Sequence, residues 1–387
     1  MSLKTAEPAA EIAEKMKRLM SLIEERGLGG ILLNRVNNFA WITGGVGDNQ
    51  IVWGSEIGFA SILVLKDGRK LVIGSHSEVS RLMCEGLADL GYEAVELKWF
   101  ESAGAFFESL KGSGPLASDV ERPGFVTVDI APLRAQLTET EIVKYRKIGQ
   151  FAADAVVEVA RQIRPGMWER DVEALAASAL MVQGLRPTVV LVGSDDRLVR
   201  FRRALPSETK RVEKHAMVSV CAKKWGLTVS VGRLVHFGPL DTELRSRYEA
   251  VATINARFMA SLKPGTRIAD LMEQAKRWYA ELGYPGEWEF HHQGGRCGYS
   301  ERECLLDANS EEVVIEHQAY ALNPTVQGAK AEDTFIVFRE HLENITETRD
   351  WPTTPVNVDG KVYNSPDVLI VGAPQTVWNL NIRAAAR

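Results

Sequence analysis

Ile163-Arg-Pro-Gly-Met-Trp-Glu-Arg-Asp-Val172 and Leu262-Lys-Pro-Gly-Thr-Arg-Ile-Ala-Asp-Leu271 are the stretches on which the fold turns. Each follows an apolar helical run, and each opens a second one after a Pro-Gly turn. At a constant offset of 99 residues, Asp171 matches Asp270, Val172 matches Leu271, Ala176 matches Ala275 and Gly184 matches Gly283. A turn, a loop, an N-capping aspartate and a helix closed by glycine therefore occur twice. Two unrelated helix-turn-helix punctuations could produce the same letters, but a repeat constrains architecture, and this one predicts a duplicated α/β unit.

N-terminal to the repeat, Ile12, Met16, Leu19, Met20 and Ile23 recur at helical spacing and stop at Gly27 and Gly29, after which Ile31 to Leu33 reads as a buried strand. Apolar alternation from Phe59 to Leu65, the turn at Lys66-Asp67-Gly68-Arg69 and the run Leu71 to Ile73 predict a hairpin. Helices are expected over 77–90 and 101–111, with strands near 93–97 and 125–130. Pro123, Gly124 and Pro132 punctuate the end of this part, and Thr138 with Glu141 forms a capping box that opens a long helix over 139–163. The expected division is a small α/β domain over 1–133 followed by a duplicated domain over 134–387.

The chain of 387 residues carries 46 Lys and Arg against 51 Asp and Glu, a net charge of -5 with no basic tract, which disfavours nucleic acid and anionic membrane as partners. Its four cysteines form no CxxC pair and are too scattered for a disulfide framework, so reduced thiols and a cytoplasmic setting are expected. No apolar run is long enough for a membrane span, and no signal-peptide pattern is present at the start.

Several segments, in order and in register, resemble the pita-bread superfamily of creatinase, prolidase, aminopeptidase P and methionine aminopeptidase. Asn37-Asn-Phe-Ala-Trp-Ile-Thr-Gly44 resembles its N-terminal signature. Trp225-Gly-Leu-Thr-Val-Ser-Val-Gly-Arg233 is similar to the strand pair that carries two metal-binding aspartates, and His291-His-Gln-Gly-Gly-Arg-Cys-Gly298 to the histidine segment. Ala321-Leu-Asn-Pro324 and Lys330-Ala-Glu-Asp333 are similar to the two glutamate segments. The resemblance implies a small α/β creatinase-like N-terminal domain followed by a pita-bread domain.

Carried over residue by residue, the resemblance places Ser219 and Ser230 at the two aspartate positions, Gly295 at the histidine and Asn323 at the first glutamate. Only Glu332 keeps its family identity. Neutral hydroxyls and an amide cannot replace the carboxylates of a dinuclear centre, so neither metal nor cofactor is expected. A single metal on His291, His292 and Glu303 is the competing arrangement, and neighbouring residues of a strand, pointing to opposite faces, argue against it. Two histidines that the family places around its substrate fall near Arg203, in Phe201-Arg-Arg-Ala-Leu-Pro206, and on Arg302, in Arg302-Glu303.

The resulting pocket combines Arg203, Arg296, Tyr299, Arg302, Ser219, Ser230 and Asn323, and is expected to bind a small anionic or polar substrate. The resemblance to creatinase implies metal-independent hydrolysis of a C–N bond, with His291 or Glu303 as general acid or base and Glu332 orienting the substrate. The serines and Asn323 would steady the oxyanion. Creatine itself is disfavoured, because Arg203 lies near the position of creatinase's basic histidine and Gly232 near that of a second guanidinium-binding glutamate. A catalytically inactive binding protein and an Xaa-Pro dipeptidase-type metallopeptidase are the alternatives. Homodimerisation is implied by the resemblance. Cys221 reads as a structural thiol, Cys297 and Cys304 flank the arginine-rich segment without a suitable histidine and asparagine arrangement, and His215, His236 and His317 read as having no catalytic role.

Overall fold

The computed structural model describes residues 6–110, 112 and 114–372. They form two compact units. The first holds the described residues up to 144 with Trp225–Leu227 and Gly298–Ser300; the second holds Tyr145–Lys224, Thr228–Cys297 and the described residues from 301 onward.

In the first unit, α1 (Ala6–Glu25) buries Ile12, Leu19 and Ile23, one face at helical spacing. It is followed by β1 (Gly30–Arg35), α2 (Val36–Ile42), β2 (Ile57–Leu65), β3 (Lys70–Ser75), α3 (His76–Leu82), β4 (Glu93–Leu97), α4 (Gly104–Ser109), β5 (Leu116–Ser118) and β6 (Val126–Thr127). The six strands lie in the order β4-β3-β2-β1-β5-β6. β2 is antiparallel to β1 and β3, while the outer pairings are parallel. The helix expected over 77–90 stops as an α-helix at Leu82. Gly86 takes a φ of 126° and bends the chain into a short turn of 3-10 helix over Ala88–Leu90. The strand expected over 125–130 is reduced to Val126–Thr127, and the helix expected over 101–111 to Gly104–Ser109, with residue 111 outside the described residues.

Behind α1 lies a buried charge network. Lys15 Nζ reaches Glu11 at 2.5 Å, Glu141 at 2.8 Å and the Tyr299 hydroxyl at 2.8 Å. Lys144 Nζ reaches Glu11 at 2.6 Å and the Gly44 carbonyl at 2.7 Å, and the Tyr299 hydroxyl donates to Glu141 at 2.6 Å. The capping box is formed: Thr138 N–H donates to Glu141 at 2.7 Å and Glu141 N–H to Thr138 Oγ1 at 3.2 Å.

The second unit takes in α5 (Glu139–Gln162) from Tyr145 onward, then α6 (Glu169–Val182), β7 (Arg186–Ser194), α7 (Asp196–Arg200), β8 (His215–Lys224), β9 (Leu227–Phe237), α8 (Thr242–Ser261) and α9 (Ile268–Glu281). There follow β10 (Gly294–Cys297), β11 (Cys304–Leu305), β12 (Ala319–Leu322), β13 (Thr325–Val326), β14 (Ala329–Lys330), β15 (Asp333–Val337), β16 (Leu342–Asn344), β17 (Thr353–Val358), β18 (Lys361–Pro366) and β19 (Leu369–Val371). One sheet runs β19-β9-β8-β7 and the other β11-β10-β12-β15-β16. Leu191, Met217 and Leu234 share one apolar core with α8, α9, Tyr320, Leu322 and Phe335.

The repeat is geometric as well as textual. α6 and α9 each have 14 residues. Gly166 and Gly265 both take a φ of 92°, and the closing Gly184 and Gly283 take 72° and 88°, a conformation that suits glycine at a helix C-terminus. One detail differs from expectation: Trp168 and Arg267 are the N-cap residues, and Asp171 sits in the first turn, accepting from Trp168 N–H at 3.4 Å. The reason is a β-bridge at each start, Trp168 to Arg211 and Arg267 to Val313, which holds the preceding residue extended.

Candidate functional site

Long apolar strands bring polar side chains together in the second unit. On β8, Ser219 interrupts Met217-Val218-Ser219-Val220, and on β9 Ser230 interrupts Val229-Ser230-Val231; both serines are buried. β12 pairs antiparallel with β15, ending with Leu322 opposite Asp333, and Asn323 and Glu332 are the next residue on each side. Glu332 is also bridged to Gly232, whose N–H donates to the Glu332 carbonyl at 3.1 Å. A Cβ on Gly232 would stand 3.1 Å from Ser219 Cβ and 3.3 Å from the Glu332 carboxylate, so glycine is what allows this approach.

Glu332 is the hub. Lys330 Nζ lies 2.7 Å from its Oε2 and Arg302 Nη2 lies 3.6 Å from its Oε1, while Ser219 Oγ donates to the same carboxylate. Burial would raise the carboxyl's pKa, but Lys330 and then Arg302 outweigh it and hold the group at about 2. Arg302 also donates to Ser230 Oγ at 3.0 Å, and Cys221 Sγ stands 3.2 Å from that hydroxyl. Burial pushes the Cys221 thiol up to about 12, against the pull of Arg302, which leaves it a poor nucleophile.

His291 and His292 lie in an irregular segment before β10 and stack on each other, with ring centroids 4.3 Å apart, so the strand alternation expected of them does not apply. His291 Nδ1 pairs with the His292 carbonyl at 2.6 Å. Burial first, then the charge of Lys330, lowers His291 to about 2; burial, then Arg302 and Lys330, lowers His292 to about 4. Both rings are neutral near pH 7. Gln293 braces the turn by donating to the His291 carbonyl at 2.5 Å and accepting from the Tyr279 hydroxyl at 2.5 Å.

Lys330, Arg302, Ser219 and, through Arg302, Ser230 thus gather around the Glu332 carboxylate, His291 lies near enough to feel its charge, and the exposed Arg203 lies near enough to His292 to lower its pKa. Two expected substrate contacts are committed elsewhere. Arg296 forms a bidentate pair with Glu312 at 2.6 and 3.0 Å, because strand alternation on β10 turns it to that side. Tyr299 belongs to the first unit, where Glu141 and Lys15 hold its hydroxyl. Glu303 lies among Tyr145, Arg296 and Cys297, whose titrations it shifts. Sequence reading missed Lys330 as a partner of Glu332 and weighed His292 only as a metal ligand. Lys330 was legible in principle, since residues two apart in extended chain share a face and Glu332 is the carboxylate beside it.

Three buried polar atoms of this cluster have no hydrogen-bond partner among the described residues: His292 Nδ1, Arg302 Nε and Asn323 Oδ1. Among those residues, no three or more His, Cys, Asp and Glu side chains come together as metal ligands.

The sequence profile of metallopeptidase family M24 matches residues 143–347, which contain every residue of this cluster. The chain belongs to metallopeptidase family M24. Its fold is the pita-bread fold expected from the motifs. The prolidase from Pyrococcus horikoshii OT3 superposes with a TM-score of 0.73 at 21% identity, covering 87% of this chain and 99% of that one. The Xaa-Pro dipeptidase from Bacillus anthracis gives 0.73 at 21% identity, over 93% and 100%. In sequence, the M24 chain is 25% identical over 228 residues to an Xaa-Pro dipeptidase of Lactobacillus delbrueckii subsp. lactis, a match spanning 57% of this chain and 62% of the dipeptidase. Among the described residues, no helix is long and apolar enough to cross a membrane.

Proposed function

We propose that this M24 protein is a hydrolase of a peptide-like C–N bond in a small, anion-bearing substrate, and that it works without a dinuclear metal centre. The observation that carries this reading is the Lys330–Glu332–Arg302 cluster. The family resemblance puts metal ligands at Ser219, Ser230, Gly295, Asn323 and Glu332. Four of these supply no carboxylate or imidazole, and Glu332 is already neutralised by two side-chain cations, so the residues present do not fit a divalent pair. A dipeptidase among the relatives favours a peptide-like substrate over a creatine-like one.

In this reading Lys330 and Arg302 hold the substrate's carboxylate or its developing oxyanion. Ser219 is spent on Glu332, so it orients that carboxylate rather than the substrate. The base is His292: its ring is neutral, burial being the first cause of its lowered pKa, and an anion arriving on Arg302 and Lys330 would offset the smaller part that those charges add and move the pKa upward. The expected homodimer and cytoplasmic setting belong to the same proposal, and light scattering at twice the chain mass is its test.

A second reading is favoured by one observation. His291 and Glu332 both sit at about 2 and His292 at about 4, so the substrate-free protein has no base poised near neutrality; a ligand-binding protein without turnover would look the same. Elemental analysis combined with a panel of dipeptides and N-acyl amino acids, assayed with and without EDTA, separates the readings. Turnover that survives EDTA in metal-free protein supports the proposal. Turnover that needs one or more bound divalent ions overturns it in favour of the metallopeptidase alternative, and no turnover of any substrate favours binding alone.

A further inference from the structure

Asn323 stands where the family resemblance places a carboxylate ligand, and what it does instead decides which C–N bond fits. It is 2% exposed and its Oδ1 accepts no hydrogen bond from the described residues. Its main chain is fixed, because its N–H donates to the Gln293 carbonyl at 3.0 Å, and Gln293 is in turn held by Tyr279. The β12–β15 register ends at Leu322 opposite Asp333, and continuing it by one residue sets Asn323 opposite Glu332. Buried acceptors are almost always satisfied, so the Asn323 oxygen, without a partner among the described residues, calls for a donor from outside the protein.

The neighbouring orphan has the opposite demand. Arg302 Nε is a buried donor without an acceptor, and Lys330 and Arg302 together outnumber the single Glu332 carboxylate. A ligand that satisfies both needs an anionic oxygen for Arg302 and Lys330 and, close to it, an N–H for Asn323. An N-acyl α-amino acid has its amide N–H one carbon away from its carboxylate. A prolyl amide offers the carboxylate but has no hydrogen on nitrogen.

We infer that Asn323 is a specificity-determining residue that selects a secondary amide, so that this M24 protein discriminates against the Xaa-Pro bond named for its dipeptidase relatives. The inference rests on the reading of the Glu332 cluster as the substrate site. A site built to hydrogen-bond an N–H rejects the analogue lacking it far more strongly than an apolar pocket rejects a missing methylene.

The experiment is calorimetric titration of EDTA-treated full-length protein with N-acetylglycine and with N-acetylsarcosine, which differ by replacement of the N–H with N–CH3. Wild type is expected to bind N-acetylglycine at least roughly tenfold more tightly, a low bound for a lost buried hydrogen bond. Asn323→Leu is expected to abolish that preference. Asn323→Asp keeps an acceptor while adding a like charge, and is expected to keep the preference while weakening both probes, which covers the case of a leucine variant that does not fold. Equal binding of both probes by wild type, or a preference retained in Asn323→Leu or lost in a folded Asn323→Asp, overturns the inference and leaves the anion site standing. Binding of neither probe by wild type overturns the anion site and this inference with it.

Discussion

Lys330 Nζ lies 2.7 Å from Glu332 Oε2, with each side chain 5% exposed, so this buried carboxylate is neutralised by a lysine two residues before it. The pair is local in sequence, but its burial is not. Gly232 on β9, Ser219 on β8 and Arg302 beside β11 enclose it.

Removing the lysine leaves a buried carboxylate whose ion-pair partner among the described residues is Arg302, at 3.6 Å. Lys330→Met is expected to destabilise the protein by about 3 kcal/mol, the low end for breaking a buried pair. Lys330→Met combined with Glu332→Gln should recover most of the loss. Urea unfolding of the three variants measures both, and a single-variant loss below about 1 kcal/mol would mean that the pair is not holding this region.

Acidification acts on the same cluster. Glu332 has its pKa depressed from an ordinary 4.5 to about 2, so its stabilising contribution is present above 4.5 and is lost as pH falls toward 2. His291 and His292 are depressed from 6.5 to about 2 and about 4, so the unfolded chain binds protons that the folded one refuses, and stability falls as pH drops below 6.5. Both effects have one sign. The melting temperature is therefore expected to decline from pH 6.5 downward, with His291→Asn making the decline shallower between pH 6.5 and 4; an unchanged slope in that variant would contradict the burial of a neutral His291.

In the first unit, Lys15 is buried between Glu11, Glu141 and the Tyr299 hydroxyl. Lys15→Met would leave two buried carboxylates sharing Lys144 and is expected to cost about 3 to 5 kcal/mol. Tyr299→Phe removes one donor to Glu141 and should cost about 1 to 3 kcal/mol. Thermal or denaturant unfolding ranks the two, and a Tyr299→Phe loss larger than that of Lys15→Met would reverse the assignment.

Thiol chemistry reports the burial pattern directly. Cys84 is exposed, whereas Cys221 and Cys297 are buried with their pKa values raised, first of all by burial. Treatment of native protein with an aromatic disulfide at pH 8 should modify Cys84 first and leave Cys221 and Cys297 intact until the protein unfolds. Rapid modification of Cys221 in the native protein would mean an open path to Ser230.

Much of the fold was written locally. The Pro-Gly turns, the closing glycines at a constant offset and the Thr138–Glu141 capping box each depend on a few adjacent residues, and each is present in the structure. Where a local signal met a tertiary demand, the tertiary demand prevailed: a β-bridge moved the N-caps to Trp168 and Arg267. The motifs also singled out Ser219, Ser230 and Glu332, which the structure brings together, because motif spacing reflects strands whose residues alternate at a fixed period.

The sequence by itself determined which residue types stand at 219, 230, 295 and 323, the positions that the family resemblance aligns with metal ligands, and none of the four is an acid or a histidine. Only the tertiary structure decided what each side chain touches. Arg296 and Arg302 read alike in the sequence, yet one is spent on Glu312 and the other reaches Glu332. Tyr299 read as a pocket residue and is held by Glu141 instead. His291 and His292 stack on each other, because the segment that bears them is irregular rather than a strand. Identity and spacing are properties of the chain, whereas charge partnership depends on which distant segments pack within a few ångströms, and on how much water that packing removes.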